Sequence, residues 1–164
     1  HRVNRGWGSE LATVAVLALS GPAAQVAVRG DLNGQAWHLW VACVCYFSSS
    51  VFYVKMLVRG AQLSGSPNWS MRWRIGRPLV VYHVALGLLV SGQCWRSAGG
   101  GEYLVLAFAP AILRALVGWS TLRDHLPSLR AVGVKEILFA TWFGVFIVVH
   151  GRHGGAVAEE LYGY

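Results

Sequence analysis

The chain has 164 residues and a formal net charge of +7, with 55% hydrophobic and only 13% charged side chains and a mean hydropathy of +0.46. Soluble domains carry roughly 25% charged residues, so this composition excludes a water-covered globular surface and assigns the chain to a membrane. A nucleic-acid partner is excluded with it, and the basic excess reads as topology and attraction to anionic headgroups.

The chain opens on HRVNRGWGSE, which is polar, basic and without a signal-peptide pattern, at His1 rather than a methionine. An upstream portion is therefore expected, with this chain as the carboxy-terminal part of a longer protein. Ser9 is a candidate cap for a helix starting near Glu10. Beyond it, five stretches come close to the ~20 apolar residues that a spanning helix requires. They are 11–28, 36–58, 78–95, 103–119 and 133–150. Gly21-Pro22 interrupts the first, because proline lacks the N–H that a helix interior uses. The predicted fold is all-α, a polytopic transmembrane bundle forming one membrane domain over residues 1–164.

Short basic loops stay cytoplasmic, which places the amino terminus inside. Arg2, Arg5, Lys55, Arg59, Arg72, Arg74, Arg77, Arg123, Arg130 and Lys135 then fall at the inner face, against Arg29, Arg96 and Arg152 outside. Tryptophans agree, since indoles favour headgroup depth: all but Trp142 lie at span boundaries. In NWSMRWR the rings of Trp69 and Trp73 recur at helical spacing among arginines, which fits a short helix on the inner surface or an irregular basic loop. The end, HGRHGGAVAEELYGY, is expected to be a mobile outer tail. The expected location is an inner, cytoplasmic membrane.

Few motifs of chemistry are present. Cys43 and Cys45 point to different helix faces and Cys94 stands apart, so packed free thiols are expected and no metal site. His38, His150 and His153 sit near outer span ends, where interfacial packing competes with axial haem ligation by His38 and His150.

The inner layer is the informative one. Helix direction brings Lys55, Arg59, Arg77, His83, Arg114, Lys135 and Glu136 to similar depth, with Glu10 beside them. Arg114 lies inside the span FAPAILRALVGW, and the small residues Ala107, Ala111 and Gly118 share its face, so it is expected to face inward. Two readings stay open. In one, the lysines and arginines snorkel to phosphates, Arg114 pairs with Glu136 or Glu10, and His83 donates to a backbone carbonyl. In the other, the cations converge on a pocket for an anionic head carrying an apolar tail.

The order FSSSVFYVKMLVRG, a basic loop, RPLVVYH, and LRAVGVKEILFATWFG after GWSTLRDHLPSLR resembles the YwiC-like family of bacterial integral membrane proteins, in its carboxy-terminal part. That family looks distantly related to UbiA-type prenyltransferases. The histidine-glycine-alanine-tryptophan signature of the family's amino terminus is missing here. The UbiA resemblance implies an isoprenoid diphosphate bound through magnesium on paired aspartate motifs, yet the aspartates here are Asp31 and Asp124 alone. Three functions remain open. The first is a membrane binding or accessory subunit with a site for a lipid or isoprenoid phosphate. The others are a prenyltransferase-related enzyme completed by another segment, and a cofactor-bearing subunit of an electron-transfer complex. Membrane lipids and other membrane subunits are the expected partners, and no cofactor is specified.

Overall fold

The computed structural model describes residues 7–63, 65, 67–96, 100–122 and 128–162, with side chains except at 129 and 154–162. Arg2, Arg5, Arg123 and Asp124 lie outside the described residues. All regular structure among the described residues is helical: α1 (Trp7–Ala18), α2 (Ser20–Arg29), α3 (Gly34–Ala61), α4 (Trp69–Arg96), α5 (Gly101–Ser120) and α6 (Leu129–Tyr162). Five helical segments are long and apolar enough to cross a membrane: Trp7–Arg29, Gly34–Ala61, Trp69–Arg96, Gly101–Ser120 and Arg130–His153. This is the predicted set of spans.

The chain forms two compact units, one ending at Val51 and the other starting at Phe52, with α3 contributing to both. In the first unit the expected interruption occurs at Leu19, between α1 and α2. Pro22 has no N–H for the Ala18 carbonyl, and Leu19 N–H turns back to Val16 O at 3.1 Å. That leaves the Ala15 carbonyl for the indole N–H of Trp40, which donates to it at 2.9 Å. Helix α2 ends at Gly30, whose φ of 81° is open to glycine without strain and whose N–H donates to Val26 O at 2.8 Å. Asn33 then opens α3, its Oδ1 accepting from Ala36 N–H at 3.2 Å and from Gln25 Nε2 at 3.0 Å. Ser9 lies inside α1 and is not its cap, because the helix begins two residues earlier.

In the second unit α5 is the central helix, packed antiparallel against α4 on one side and α6 on the other. Near one end of the unit Met56, Leu79, Ala115 and Leu122 form a buried core, flanked by Phe52, Tyr53, Leu57, Ile75 and Trp119. At the other end His150 Nδ1 donates to Gly100 O at 2.8 Å. Phe108 meets Phe143 between them, with ring centroids 5.4 Å apart. Proline 110 sits inside α5 and so withholds the N–H that Leu106 O would ordinarily receive. Trp142 of α6 supplies the replacement, its indole N–H donating to Leu106 O at 2.8 Å.

Two expectations are corrected. NWSMRWR is neither a separate surface helix nor an irregular loop, since Trp69 onwards is continuous with α4. Asn68 starts the helix by accepting Met71 N–H at 2.9 Å on its side-chain oxygen. Twenty-eight residues extend about 42 Å at 1.5 Å per residue, more than the ~30 Å hydrocarbon thickness. The helix is therefore long enough for its first turns to reach headgroup depth. The carboxy-terminal segment also differs from the expected tail, because α6 continues through it to Tyr162.

Glycine 76 shows how closely α4 meets α5. A Cβ there would overlap the Trp119 indole. The indole cannot swing away freely, because its N–H donates to Arg72 O at 3.2 Å and its ring lies between those of Trp69 and Trp73, at 5.3 and 5.9 Å. Gly76→Ala is expected to lower stability by about 1–3 kcal/mol through overpacking, despite alanine's better helix propensity. The denaturation midpoint in detergent would show it, and Trp119→Leu in the same chain is expected to recover most of the loss.

Candidate functional site

Four helices of the second unit converge on Arg114. It lies six residues before the end of α5, about 9 Å along the axis, and is 8% exposed. The small-residue face places it there: Ala107 and Ala111 are fully buried, and a Cβ on Gly118 would overlap the Tyr53 ring, so α5 approaches α3 closely at this level. The Arg114 guanidinium lies 4.7 Å from the Tyr53 ring centroid and 5.7 Å from that of Phe139. It also forms an ion pair with Glu136 of α6. Rings on the flanks and a carboxylate at the tip replace the hydration that a guanidinium loses on entering hydrocarbon.

Histidine 83 of α4 is buried, and its Nδ1 donates to Leu79 O at 2.8 Å within its own helix. Arg114 acts on it electrostatically, and on the Tyr53 hydroxyl as well. Tyr82 stacks on Phe52 at 4.5 Å and meets the His83 ring edge-on at 5.3 Å. Arg114 faces inward as expected, and of the two partners weighed for it, Glu136 or Glu10, the ion pair is with Glu136; this pair and the bond from His83 to a carbonyl belong to the reading in which the other cations snorkel.

The other predicted cations stand apart from this buried pair. Arg59, Arg77 and Lys135 are exposed and Lys55 is half-buried. Arg77 and Lys135 make no hydrogen bond or ion pair among the described residues. All four belong to the helix ends that surround Arg114: the last turns of α3 and the first turns of α4 and α6. Among the described residues of these ends, Glu136 is the carboxylate present, and Arg114 already engages it. Arg72 has a structural task. Its guanidinium donates to Ser120 O, a carbonyl that the end of α5 leaves open, and, through Nε, to Pro67 O ahead of α4 at 3.2 Å.

Sequence reasoning missed Tyr53, Phe139 and Arg72. A signal existed for Tyr53 alone, in the small Gly118 on the arginine's own face, which leaves room for a ring. The two histidines weighed as haem ligands belong to different units: His38 is exposed on α3, and His150 is held by the Gly100 carbonyl. Among the described residues no three His, Cys, Asp or Glu side chains group as metal ligands do, and Cys43, Cys45 and Cys94 are free thiols.

No family model matches the chain, and no solved structure matches it. It is 30% identical over 114 residues to "Uncharacterized protein YwiC" of Bacillus subtilis (strain 168). The aligned region takes in 70% of this chain and 40% of that protein, so the chain spans about two fifths of its relative's length. A relation to UbiA-type prenyltransferases is no part of this similarity. The chain is thus a multi-pass membrane protein with five candidate spans and a distant likeness to a bacterial protein, YwiC.

Proposed function

We propose that this protein is a membrane-embedded binding protein or accessory subunit that holds an anionic amphiphile, a lipid or isoprenoid phosphate, at its basic end, and that this end faces the cytoplasm of a bacterial cell. The observation that carries the reading is the charge imbalance around Arg114. Arg77 and Lys135 stand with Lys55 and Arg59 on helix ends of one unit, and among the described residues of those ends the carboxylate present, Glu136, is engaged by Arg114. A negatively charged headgroup is what the membrane offers to balance such a layer. The buried pair anchors the helices, and the outer cations Arg77 and Lys135 are the ones placed to meet a phosphate.

The test is native mass spectrometry of protein released gently from its own membranes, with Arg77→Gln/Lys135→Gln beside the unmodified chain. The double variant is expected to retain the co-purified anion more than tenfold less well, at about 1 kcal/mol per cation near the surface. Raised salt is expected to mimic it in part. Equal retention by both proteins would overturn the reading.

A further inference from the structure

An open groove of about 290 Å³ runs between α4 and α5, lined by Gly87, Val90 and Ser91 on one side and Val105, Ala109 and Leu113 on the other. It is just below the ~300–1,000 Å³ typical of small-ligand sites, too small for a two-chained lipid. One apolar chain would occupy it.

One feature relates the groove to the basic end, and a second keeps it open. Arg77, Val80, Val84, Gly87 and Ser91 follow one another at helical spacing, so Arg77 lies on the groove's own face of α4. The other feature is Gly87. A Cβ on Gly87 would meet nothing within 4 Å, as at Gly92 farther along the helix. In mid-helix glycine costs roughly 1 kcal/mol relative to alanine, and at this position it leaves open space in the groove wall.

Length narrows the occupant. From Arg77 to Gly87 is about 15 Å along the axis and to Ser91 about 21 Å, whereas one leaflet's hydrocarbon is about 15 Å deep, half of the ~30 Å core. A chain that starts at Arg77 and fills the groove crosses the bilayer midplane. We propose that the α4–α5 groove takes the single chain of a phosphate-headed amphiphile whose chain exceeds one leaflet, with Arg77 at its phosphate. This rests on the reading of the basic end given above and adds to it the ligand's chain number and length.

The experiment compares two probes, a monoalkyl phosphate with a chain longer than one leaflet and one with a chain about half as long. Each is offered to the full chain in phosphatidylcholine nanodiscs, and retention is read by native mass spectrometry. The unmodified protein is expected to favour the long-chain probe about fivefold, through chain contacts along the groove. Gly87→Leu extends a side chain into the groove from a position where a Cβ meets nothing within 4 Å, so it is expected to abolish the length preference while short-chain retention stays the same. Arg77→Gln is expected to weaken both probes alike. Ala109→Leu, from the opposite wall, repeats the Gly87→Leu test, and helicity with a monodisperse elution profile checks the fold of each variant. If the unmodified protein retains neither probe, the basic-end reading falls and the groove with it. Phosphate retention without a length preference, or a preference that survives both groove variants, overturns the groove alone.

Discussion

Glu136→Gln is expected to destabilise the protein more than Arg114→Gln, although the two side chains form one ion pair. The pair is asymmetric: the Arg114 side chain is 5% exposed and that of Glu136 24%. Removing the carboxylate leaves a guanidinium that cannot lose its proton at any accessible pH, beside the rings of Tyr53 and Phe139 and without its counter-charge on Glu136. Breaking a buried pair from one side costs about 3–5 kcal/mol. Removing the arginine leaves a carboxylate that can take up a proton or turn toward water, so the cost falls well below that range. Replacing both, as in Arg114→Met/Glu136→Leu, is expected to be close to neutral, because apolar groups of similar volume need no counter-charge. Denaturant midpoints in a mild detergent would rank the three variants. Equal losses for the two single variants would show that the pair is hydrated on both sides.

Trp142→Phe is expected to cost about 1–3 kcal/mol, the penalty for leaving a desolvated acceptor without its donor. Phenylalanine keeps an aromatic ring beside Phe146 and removes, with the pyrrole part of the indole, the N–H that reaches Leu106 O. The reason for the effect lies in the other helix. Pro110 takes the usual donor from that carbonyl, and in the bilayer core no water replaces it. In a Pro110→Ala background the new amide at position 110 can bond Leu106 O within α5, and the same Trp142→Phe change is expected to become nearly silent. A double-mutant cycle on unfolding midpoints measures this coupling. An equal loss in both backgrounds would mean that the indole N–H does not serve the proline break.

Much of the fold was legible because hydropathy alone locates helices that must satisfy their own backbones. The inward Arg114 was legible too, since Ala107, Ala111 and Gly118 marked the face on which two helices could approach. Other features depend on partners distant in sequence. Nothing in NWSMRWR states that Arg72 reaches Ser120, 48 residues onward, and without that anchor a basic aromatic segment reads as surface-lying. The carbonyl of Ala15 freed by the break at Leu19, ahead of Pro22, accepts from the indole N–H of Trp40, 25 residues onward. The rings around Arg114 were hidden for the same reason. Tyr53 and Phe139 look like ordinary apolar residues of their own spans, and only the packing of α3 and α6 against α5 makes them a cage.

The ion pair also has a meaning for how the chain is made. Arg114 emerges 22 residues ahead of Glu136, so the translocation machinery meets α5 with its charge still uncompensated. A lone arginine at a helix centre raises the cost of insertion by about 2.5–3.5 kcal/mol. Once α6 follows, the same charge becomes a reason for the two helices to stay together. The charge therefore favours delivery of α5 and α6 as one hairpin, in which α5 enters lipid only once the carboxylate of α6 is at hand, against the order in which the ribosome releases them.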